Sequence, residues 1–266
     1  MEFTYPQGLK KALTFSYDDG REFDRRLVEI FNQHGLKGTF HLNSGTLGLH
    51  APNGDFVAPG EVKELYQGHE VAVHTVSHLH PMSSPLSQVS REIAEDRKAL
   101  EALTGGLVVG MSYPYGCYSD EVVAVAKAQG ILYSRTTVAT GEFHLPADFL
   151  RWHSTCHHGD PRLLDLGKKF LAAPDMGLSL MYVWGHSFEF DRNHNWEKIG
   201  NFCRMAGGRE DVWYATNIEI LDYVQAARSL RFSRNRKMVY NPSAQDVWIS
   251  VDREPVRIAG GEFRKL

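Results

Sequence analysis

Residues 11–20 have the sequence KALTFSYDDG, and the interpretation of the fold starts from this stretch. Residues 11–16 (KALTFS) have the apolar character of a short buried β-strand, and Tyr-Asp-Asp-Gly follows directly. In parallel α/β folds, active sites gather at the carboxyl ends of the strands. The pair Asp18 and Asp19 therefore indicates either a site for chemistry or, more plainly, an Asp-Gly turn that begins a helix.

Predicted strands and helices alternate along the rest of the chain. The clearest helix covers residues 85–103, where Val89, Ile93 and Leu100 form an apolar stripe that ends before Gly105. The alternation predicts parallel strands joined by right-handed crossovers, about seven times over. The other predicted strands cover residues 36–43, 70–74, 107–112, 131–134, 150–155 and 178–184, and the other helices cover 23–34, 59–66, 120–129, 161–172, 195–205 and 216–229.

This pattern predicts an α/β fold, a closed or nearly closed (β/α) barrel of about seven parallel strands. An open Rossmann sheet fits less well, because no GxGxxG motif follows the first strand. Residues 231–266 change to the alternation of short β-strands, with breaks at Pro242 and Gly260. We therefore predict a single domain over residues 1–266, with a core at about 12–230 and a β-rich C-terminal extension over 231–266.

Composition and charge exclude several classes of function. The chain of 266 residues has 29 basic and 32 acidic side chains, so it has no basic excess to attract nucleic acid. No stretch reaches the roughly 20 apolar residues of a membrane helix, and no signal peptide precedes the first strand, which predicts a cytoplasmic protein without a membrane partner unless a leader has been removed. Cys117, Cys156 and Cys203 are too widely spaced for a disulfide framework. The oligomeric state stays open.

The predicted strand over residues 70–74 ends in His74-Thr-Val-Ser-His78. Two imidazoles four residues apart can converge on one metal ion if the second lies on the turn after the strand. Two histidines and one carboxylate leave coordination positions open for water, as a hydrolytic metal site requires. Histidines of the surface or the core are the plainer interpretation of a lone HxxxH.

Two further strand ends carry candidate residues. Tyr113-Pro-Tyr-Gly116 follows the strand over 107–112, and Gly185-His186 follows the apolar strand over 178–184. A histidine that leaves a strand through glycine is well placed to be a general acid or base, although a core histidine and a simple turn explain each motif alone. We interpret the histidines of HSTCHH (residues 153–158) as a polar loop at the rim of the site rather than a second metal site.

The motifs DDG, HxxxH, PYG and GH occur in this order, each at a predicted strand end. Together they resemble the polysaccharide deacetylases of carbohydrate esterase family 4, which are related to the nodulation-factor chitooligosaccharide deacetylases. The resemblance spans about residues 12–230. It implies a distorted (β/α) barrel, often with seven strands. It also implies a metal-dependent hydrolase that removes acetyl groups from an N-acetylated or O-acetylated carbohydrate.

The same resemblance implies roles for individual residues. Asp19 would bind one divalent metal ion together with His74 and His78. Asp18 would be the general base that takes a proton from the attacking water. His186 would be the general acid that protonates the departing amine.

Substrate contacts are implied in the same way. The backbone N–H of Tyr115 would stabilise the oxyanion, and Trp152 would help to wall the acetyl pocket. Trp184 is a candidate for stacking against the face of a sugar ring. Two nitrogens and a carboxylate suit Zn²⁺ as the metal, with Co²⁺, Ni²⁺ and Mn²⁺ as alternatives.

The chain departs from the family pattern at two positions. Ser112 stands where the family's third motif has an arginine, and Arg151 stands where its fourth motif has a second aspartate. In the family the arginine orients the catalytic base and the aspartate supports the catalytic histidine. We therefore hypothesise that Arg151 is catalytic through pairing with Asp18. The partner of His186 then stays open among Asp148, Glu189 and Asp191.

Two alternatives to deacetylation remain at this point. The first is a hydrolase of another non-peptide C–N or ester bond on the same fold. The second is a catalytically inactive carbohydrate-binding relative, which the missing third-motif arginine favours. The presence of Asp18, His186 and all three candidate ligands favours a hydrolase.

Overall fold

A computed structural model describes residues 2–52, 54–174 and 177–266. The strands are β1 (Glu2–Thr4), β2 (Lys11–Asp18), β3 (Gly38–Leu42), β4 (Glu70–Val73), β5 (Gly110–Ser112), β6 (Tyr133–Ala139), β7 (Trp152–Ser154), β8 (Cys156–His157), β9 (Ser179–Gly185), β10 (Val212–Tyr214), β11 (Arg231–Phe232), β12 (Met238–Tyr240), β13 (Val247–Val251), β14 (Glu254–Ile258) and β15 (Phe263–Lys265). The α-helices are α1 (Asp24–Gln33), α2 (Val62–Leu65), α3 (Leu86–Thr104), α4 (Asp120–Ala128), α5 (Leu163–Ala172), α6 (Phe188–Arg192), α7 (Trp196–Ala206) and α8 (Asn217–Ser229).

Parallel strands form the centre of the molecule. They are hydrogen-bonded in the order β7, β6, β5, β4, β3, β2, β9 and β8, and each neighbouring pair is parallel. β10 lies parallel to the first residues of β2. Helix residues such as Leu27, Phe31 and Ile93 share one hydrophobic core with strand residues such as Phe15 and Phe40. The helices therefore cover the outside of the sheet, as parallel strands require.

A single segment closes the sheet into a barrel. β7 and β8 are separated only by Thr155, and β7 pairs with β6 while β8 pairs with β9. The N–H of Thr155 itself donates a hydrogen bond to the carbonyl of Tyr182 in β9, at 2.8 Å. Residues 152–157 thus join the two edges of the sheet, and the ring contains seven parallel positions. The predicted α/β barrel of about seven parallel strands is confirmed.

Side-chain alternation along β2 separates an apolar outer face from a polar inner face. Phe15 points toward the helices, where its ring lies 4.5 Å from the ring of Phe31. Ser16 and Asp18 point the other way, and both bond to the buried guanidinium of Arg135 in β6. Because successive side chains of a strand alternate between faces, the polar inner face leads directly to the carboxyl end of the barrel.

Antiparallel strands bring the two chain ends together. β13 pairs with both β1 and β14, and β12 pairs with both β11 and β15. Val239, Ile249 and Ile258 of these strands share a second hydrophobic core with Leu221 and Val224 of α8. The predicted β-rich C-terminal appendage is confirmed, and the participation of β1 in it was not predicted.

The bounds of one strand were predicted wrongly in a way that affects the site. The sequence predicted a strand over residues 131–134, whereas β6 covers Tyr133–Ala139. Arg135 and two threonines directly follow Ser134. Inside the barrel Arg135 bonds to Ser16 and Asp18, and Thr136 lies 2.6 Å from Nδ1 of His153, so the strand continues through these polar residues.

No described helix is able to span a membrane, and the described cysteines form no disulfides. Within residues 2–52, 54–174 and 177–266, none of the helices has both the length and the apolar character needed to cross a bilayer. Cys117, Cys156 and Cys203 are free thiols. Cys156 and Cys203 are buried in the main hydrophobic core.

A reciprocal cap begins α8. The hydroxyl of Thr216 accepts a hydrogen bond from the N–H of Glu219, and the Glu219 carboxylate accepts one from the N–H of Thr216. This arrangement is a capping box. It satisfies two backbone donors that the first turn of a helix would leave without partners.

We expect Thr216→Ala to lower the free energy of unfolding by about 1 kcal/mol, because the cap hydroxyl is lost. Thr216→Ser keeps the hydroxyl and should retain most of the stability. Urea denaturation of the three proteins measures this difference. Equal losses in both variants would show that the methyl group of Thr216, rather than its hydroxyl, supports the helix.

Candidate active site

Three side chains converge at the carboxyl ends of β2 and β4. Asp19 directly follows β2, His74 directly follows β4, and His78 lies on the turn after it. Asp19 Oδ1 lies 3.7 Å from Nε2 of His74 and 3.8 Å from Nε2 of His78. The ligand atoms of all three residues lie within 4.8 Å of one another. Two imidazole nitrogens and one carboxylate oxygen in this arrangement fit a divalent transition-metal ion.

Hydrogen bonds fix the orientation of the His74 ring. Its Nδ1 lies 2.7 Å from Oγ of Ser112, whose hydroxyl in turn donates to Oδ1 of Asp18 at 3.1 Å. Since the hydroxyl proton of Ser112 is donated to Asp18, Nδ1 of His74 carries the ring proton and Nε2 keeps its lone pair. Asp96 accepts the backbone N–H of His74 at 3.0 Å and holds the same turn. The support of the ring thus leaves Nε2 free to act as a ligand.

The backbone at the site is held in an uncommon conformation. Asp19, Thr75, His78 and Tyr115 all have positive φ angles, of 81°, 66°, 56° and 59°. Such angles are costly for residues other than glycine and persist only where the surrounding structure enforces them. Hydrogen bonds from the Asn43 amide to the carbonyls of His74 and Thr75 supply part of that enforcement.

Asp18 forms a buried ion pair with Arg135. Nη2 of Arg135 donates to Oδ2 of Asp18, and its Nε donates to the hydroxyl of Ser16 at 3.0 Å. Both charged side chains are almost completely buried. Burial alone would raise the pKa of Asp18, but the charges of Arg135 and nearby imidazoles outweigh it and hold that pKa well below its usual range. Asp18 is therefore a carboxylate at neutral pH, with Oδ2 3.9 Å from Nε2 of His74.

The hypothesis that Arg151 pairs with Asp18 is wrong. The guanidinium of Arg151 binds the carboxylates of Asp148 and Asp120 near the surface. Arg151 lies in the 3₁₀ turn before β7, at the amino end of that strand, whereas Asp18 lies at the carboxyl end of β2. Opposite ends of parallel strands face opposite ends of the barrel, so the two side chains cannot meet.

Sequence reasoning missed Arg135 because it placed this residue beyond the end of a strand. In the register of the sheet, Arg135 of β6 lies directly beside Ser112 of β5. The position that lacks the family's arginine thus has an arginine as its neighbour on the next strand. The signal in the sequence was the run of β-formers Thr136, Thr137 and Val138, which favours continuation of the strand past Arg135.

The second predicted proton carrier, His186, lies beside a carboxylate. Its Nδ1 is 3.7 Å from Oε1 of Glu189, one turn along in α6. Among the three candidate partners of His186, Glu189 makes this contact. Asp148 binds Arg151 instead. Because Nδ1 faces Glu189, Nε2 is the ring nitrogen left to meet a substrate.

Neighbouring charges set the protonation of this pair. Burial lowers the pKa of His186, but Glu189, Asp18 and Asp19 outweigh it, so the net shift is upward. Burial would likewise raise the pKa of Glu189, but contacts with His157, His158 and His186 hold it well below its usual range. The imidazole is thus biased toward its protonated form and the carboxylate toward its charged form.

Tyr115 lies over the candidate ligands. Its ring is 59% exposed and lies 4.4 Å from the ring of His78 and 5.1 Å from that of His80. The N–H groups of Gly116 and Cys117 bond to the carbonyls of Tyr113 and Pro114, whereas no partner is found within the described ranges for the N–H of Tyr115. That N–H is therefore available to a ligand.

The two tryptophans predicted to contact substrate differ in position. Trp184 lies beside the site, with its ring 4.1 Å from the guanidinium carbon of Arg135 and 5.7 Å from the ring of His186. Trp152 has no exposed surface and packs against Tyr133, Phe149 and Tyr182. The prediction that Trp152 walls the acetyl pocket is wrong, because Trp152 begins β7 and fills the interior below the site.

Comparison with known proteins agrees with this architecture. Residues 6–134 match the family model for polysaccharide deacetylases. A chitin deacetylase of Arthroderma benhamiae is 34% identical over 119 residues, which cover 42% of this chain and 29% of the relative. A chitooligosaccharide deacetylase of Sinorhizobium fredii is 27% identical over 124 residues, which cover 45% and 54%. The chain thus spans about a third to a half of the length of these curated relatives.

The similarity in fold extends further than the similarity in sequence. The crystal structure of a Mycobacterium smegmatis protein described as a polysaccharide deacetylase superposes with a TM-score of 0.63, over 86% of this chain and 95% of that one. The sequence identity is 18%. At this identity the likeness shows the shared fold alone.

We expect Arg135→Ala to lower the free energy of unfolding by about 3–5 kcal/mol, because it leaves the buried carboxylate of Asp18 without its partner. Arg151→Ala is the matched control and should change stability little, since its ion pairs are exposed. Chemical denaturation of both variants provides the comparison. A larger loss in Arg151→Ala would contradict the assignment of Arg135 as the partner of Asp18.

Proposed function

We propose that this chain, of which residues 6–134 match the polysaccharide deacetylase family model, is a metal-dependent hydrolase that removes acetyl groups from an N-acetylated carbohydrate. The observation that carries the proposal is the position of Asp18. This charged carboxylate lies 3.9 Å from Nε2 of His74, one of the three residues that fit a metal ion. Activation of water by a metal ion requires a base close to that ion, and Asp18 lies close to the candidate metal ligands.

Asp19, His74 and His78 would hold the divalent ion. When bound, such an ion supplies a Lewis acid that lowers the pKa of water and polarises a carbonyl oxygen. Zn²⁺ is the ion that suits this donor set best, with Co²⁺, Ni²⁺ and Mn²⁺ as alternatives. The proton on Nδ1 of His74, fixed by Ser112, supports this use of Nε2.

Asp18 would take the proton from the attacking water. Arg135 and Ser112 each hold one oxygen of the carboxylate, so its orientation is fixed before the substrate arrives. The same contacts keep the pKa of Asp18 low and therefore make it a weaker base. They also orient the carboxylate and keep it fully charged at neutral pH.

His186 would give a proton to the departing nitrogen. Its raised pKa favours the protonated imidazole that a general acid needs, and because Nδ1 faces Glu189 at 3.7 Å, Nε2 would be the donor. The N–H of Tyr115 would donate to the oxygen on which negative charge develops. The exposed ring of Tyr115 offers an aromatic face of the kind that packs against a sugar ring, whereas Trp184 is buried beneath the guanidinium of Arg135.

We expect purified protein loaded with Zn²⁺ to release acetate from N-acetylglucosamine oligomers. Asp18→Asn should lower kcat by about 10²–10⁴-fold, because the amide cannot accept a proton. Acetate release, with metal content of both proteins as the control, measures this. Products other than acetate from a panel of amide and ester substrates would favour another C–N hydrolase. Sugar binding without any hydrolysis would favour an inactive carbohydrate-binding protein.

We expect Glu189→Gln to shift the pH profile of kcat/KM. Removing the carboxylate removes one of the causes that raise the pKa of His186. The protonated imidazole is then lost at lower pH, so the basic limb of the profile moves to lower pH. Asp191→Asn, two residues along α6, is the matched control and should leave the profile unchanged. An unmoved basic limb in Glu189→Gln would show that Glu189 does not support His186.

A further inference from the structure

A second group of metal-ligating side chains lies where the closing segment meets β9. It contains His157, His158 and Glu189, whose ligand atoms lie within 4.8 Å of one another. We propose that these three residues bind a second divalent transition-metal ion, separate from the one held by Asp19 and its partners. None of its residues belongs to the first ligand group, although Glu189 also faces His186.

The geometry of Glu189 is the first argument. Its Oε2 lies 3.1 Å from Nε2 of His157 and 2.9 Å from Nε2 of His158. At these distances hydrogen bonds would be expected, yet Oε2 is buried and has none with acceptable angles among the described residues. Two ligands of one cation lie close together without a hydrogen bond between them, because their lone pairs point at the cation and not at each other.

The first candidate site repeats the same relation. There too a single carboxylate oxygen, Oδ1 of Asp19, lies near Nε2 of two histidines. The donor set of two imidazoles and one carboxylate is therefore the same in both places. This set selects Zn²⁺ and similar transition-metal ions over Mg²⁺ or Ca²⁺, which prefer oxygen ligands.

Burial of His158 is the second argument. Its side chain is 4% exposed, and its Nδ1 has no hydrogen-bond partner within the described ranges. The ring packs directly on the backbone of Gly185, where a Cβ would come within 2.1 Å of Nδ1. Because this packing places Nδ1 against the backbone, Nε2 is the nitrogen of His158 that faces Glu189 and would bind the ion.

The two oxygens of Glu189 serve different neighbours. Oε2 faces the two imidazoles of the proposed site, whereas Oε1 faces His186 at 3.7 Å and Arg192 at 3.4 Å. A bound ion would therefore leave Oε1 for His186. It would also link the second site to the first through one carboxylate.

Binding requires one rearrangement at His157. Nδ1 of His157 accepts a hydrogen bond from the N–H of Gly159 at 3.0 Å, so Nε2 carries the ring proton in this arrangement. For Nε2 to bind a metal ion, that proton must leave and Nδ1 must become protonated. Gly159 is exposed, so its N–H can turn to water when this happens.

Titration of the Asp19→Ala/His78→Ala variant with Zn²⁺ tests the proposal, because this variant lacks two ligands of the first site. We expect one Zn²⁺ per chain by calorimetry, and a visible absorption band of four-coordinate Co²⁺ when Co²⁺ replaces Zn²⁺. Adding His157→Ala should abolish both signals. His50→Ala, which removes an exposed histidine that also faces an aspartate, is the matched control and should retain them.

The absence of stoichiometric Zn²⁺ binding in the Asp19→Ala/His78→Ala variant would overturn the proposal. Binding that survives His157→Ala would overturn it as well. If His157→Ala fails to fold by circular dichroism, the nearly isosteric Glu189→Gln takes its place with the same expected loss. Acetate release by wild-type protein is measured separately, so failure of the second site and failure of the deacetylase proposal are distinguishable.

Discussion

The buried ion pair between Asp18 and Arg135 is the interaction on which the site depends. A carboxylate this deep in a barrel persists only if a cation and further hydrogen bonds compensate for its lost hydration. Arg135 supplies the charge, while Ser112 connects the same carboxylate to the ring of His74. The tautomer of His74 thus follows from the bonds of Asp18, and the candidate base and the candidate metal ligands form one connected network.

Closure of the barrel has a comparable effect on the opposite side of the site. Residues 152–157 pair with β6 through their first half and with β9 through their second half. This places His157 beside Trp184 in the register of the sheet and brings His158 against Gly185. The polar loop expected for these histidines is in fact the strand that closes the ring, which is why His158 is buried and why both histidines reach Glu189.

The two departures from the family pattern are each matched by a residue elsewhere in the fold. Ser112 leaves room for the guanidinium of Arg135, its direct neighbour on the adjacent strand. Arg151 replaces an aspartate, and Glu189, four residues after the last residue of β9, faces His186 instead. In both cases a charged side chain from another part of the sequence, Arg135 or Glu189, lies beside the candidate catalytic residue. A barrel permits this because neighbouring strands deliver side chains to the same end.

The fold class and most strand ends that carry candidate residues could be predicted from the sequence, because side-chain periodicity and short motifs are local properties. The positions of Asp18, Asp19, His74, His78, Tyr115 and His186 at or just after strand ends could be predicted from the sequence, whereas their roles come from the family resemblance and stay predictions. The partners of these residues became known from the three-dimensional arrangement of the strands. Arg135, rather than Arg151, meets Asp18, and Trp152 lies in the interior away from the substrate side. Side-chain pairing across a barrel depends on the register of the strands and on the face that each residue occupies. Neither can be predicted from the local sequence, because both depend on which strands become neighbours.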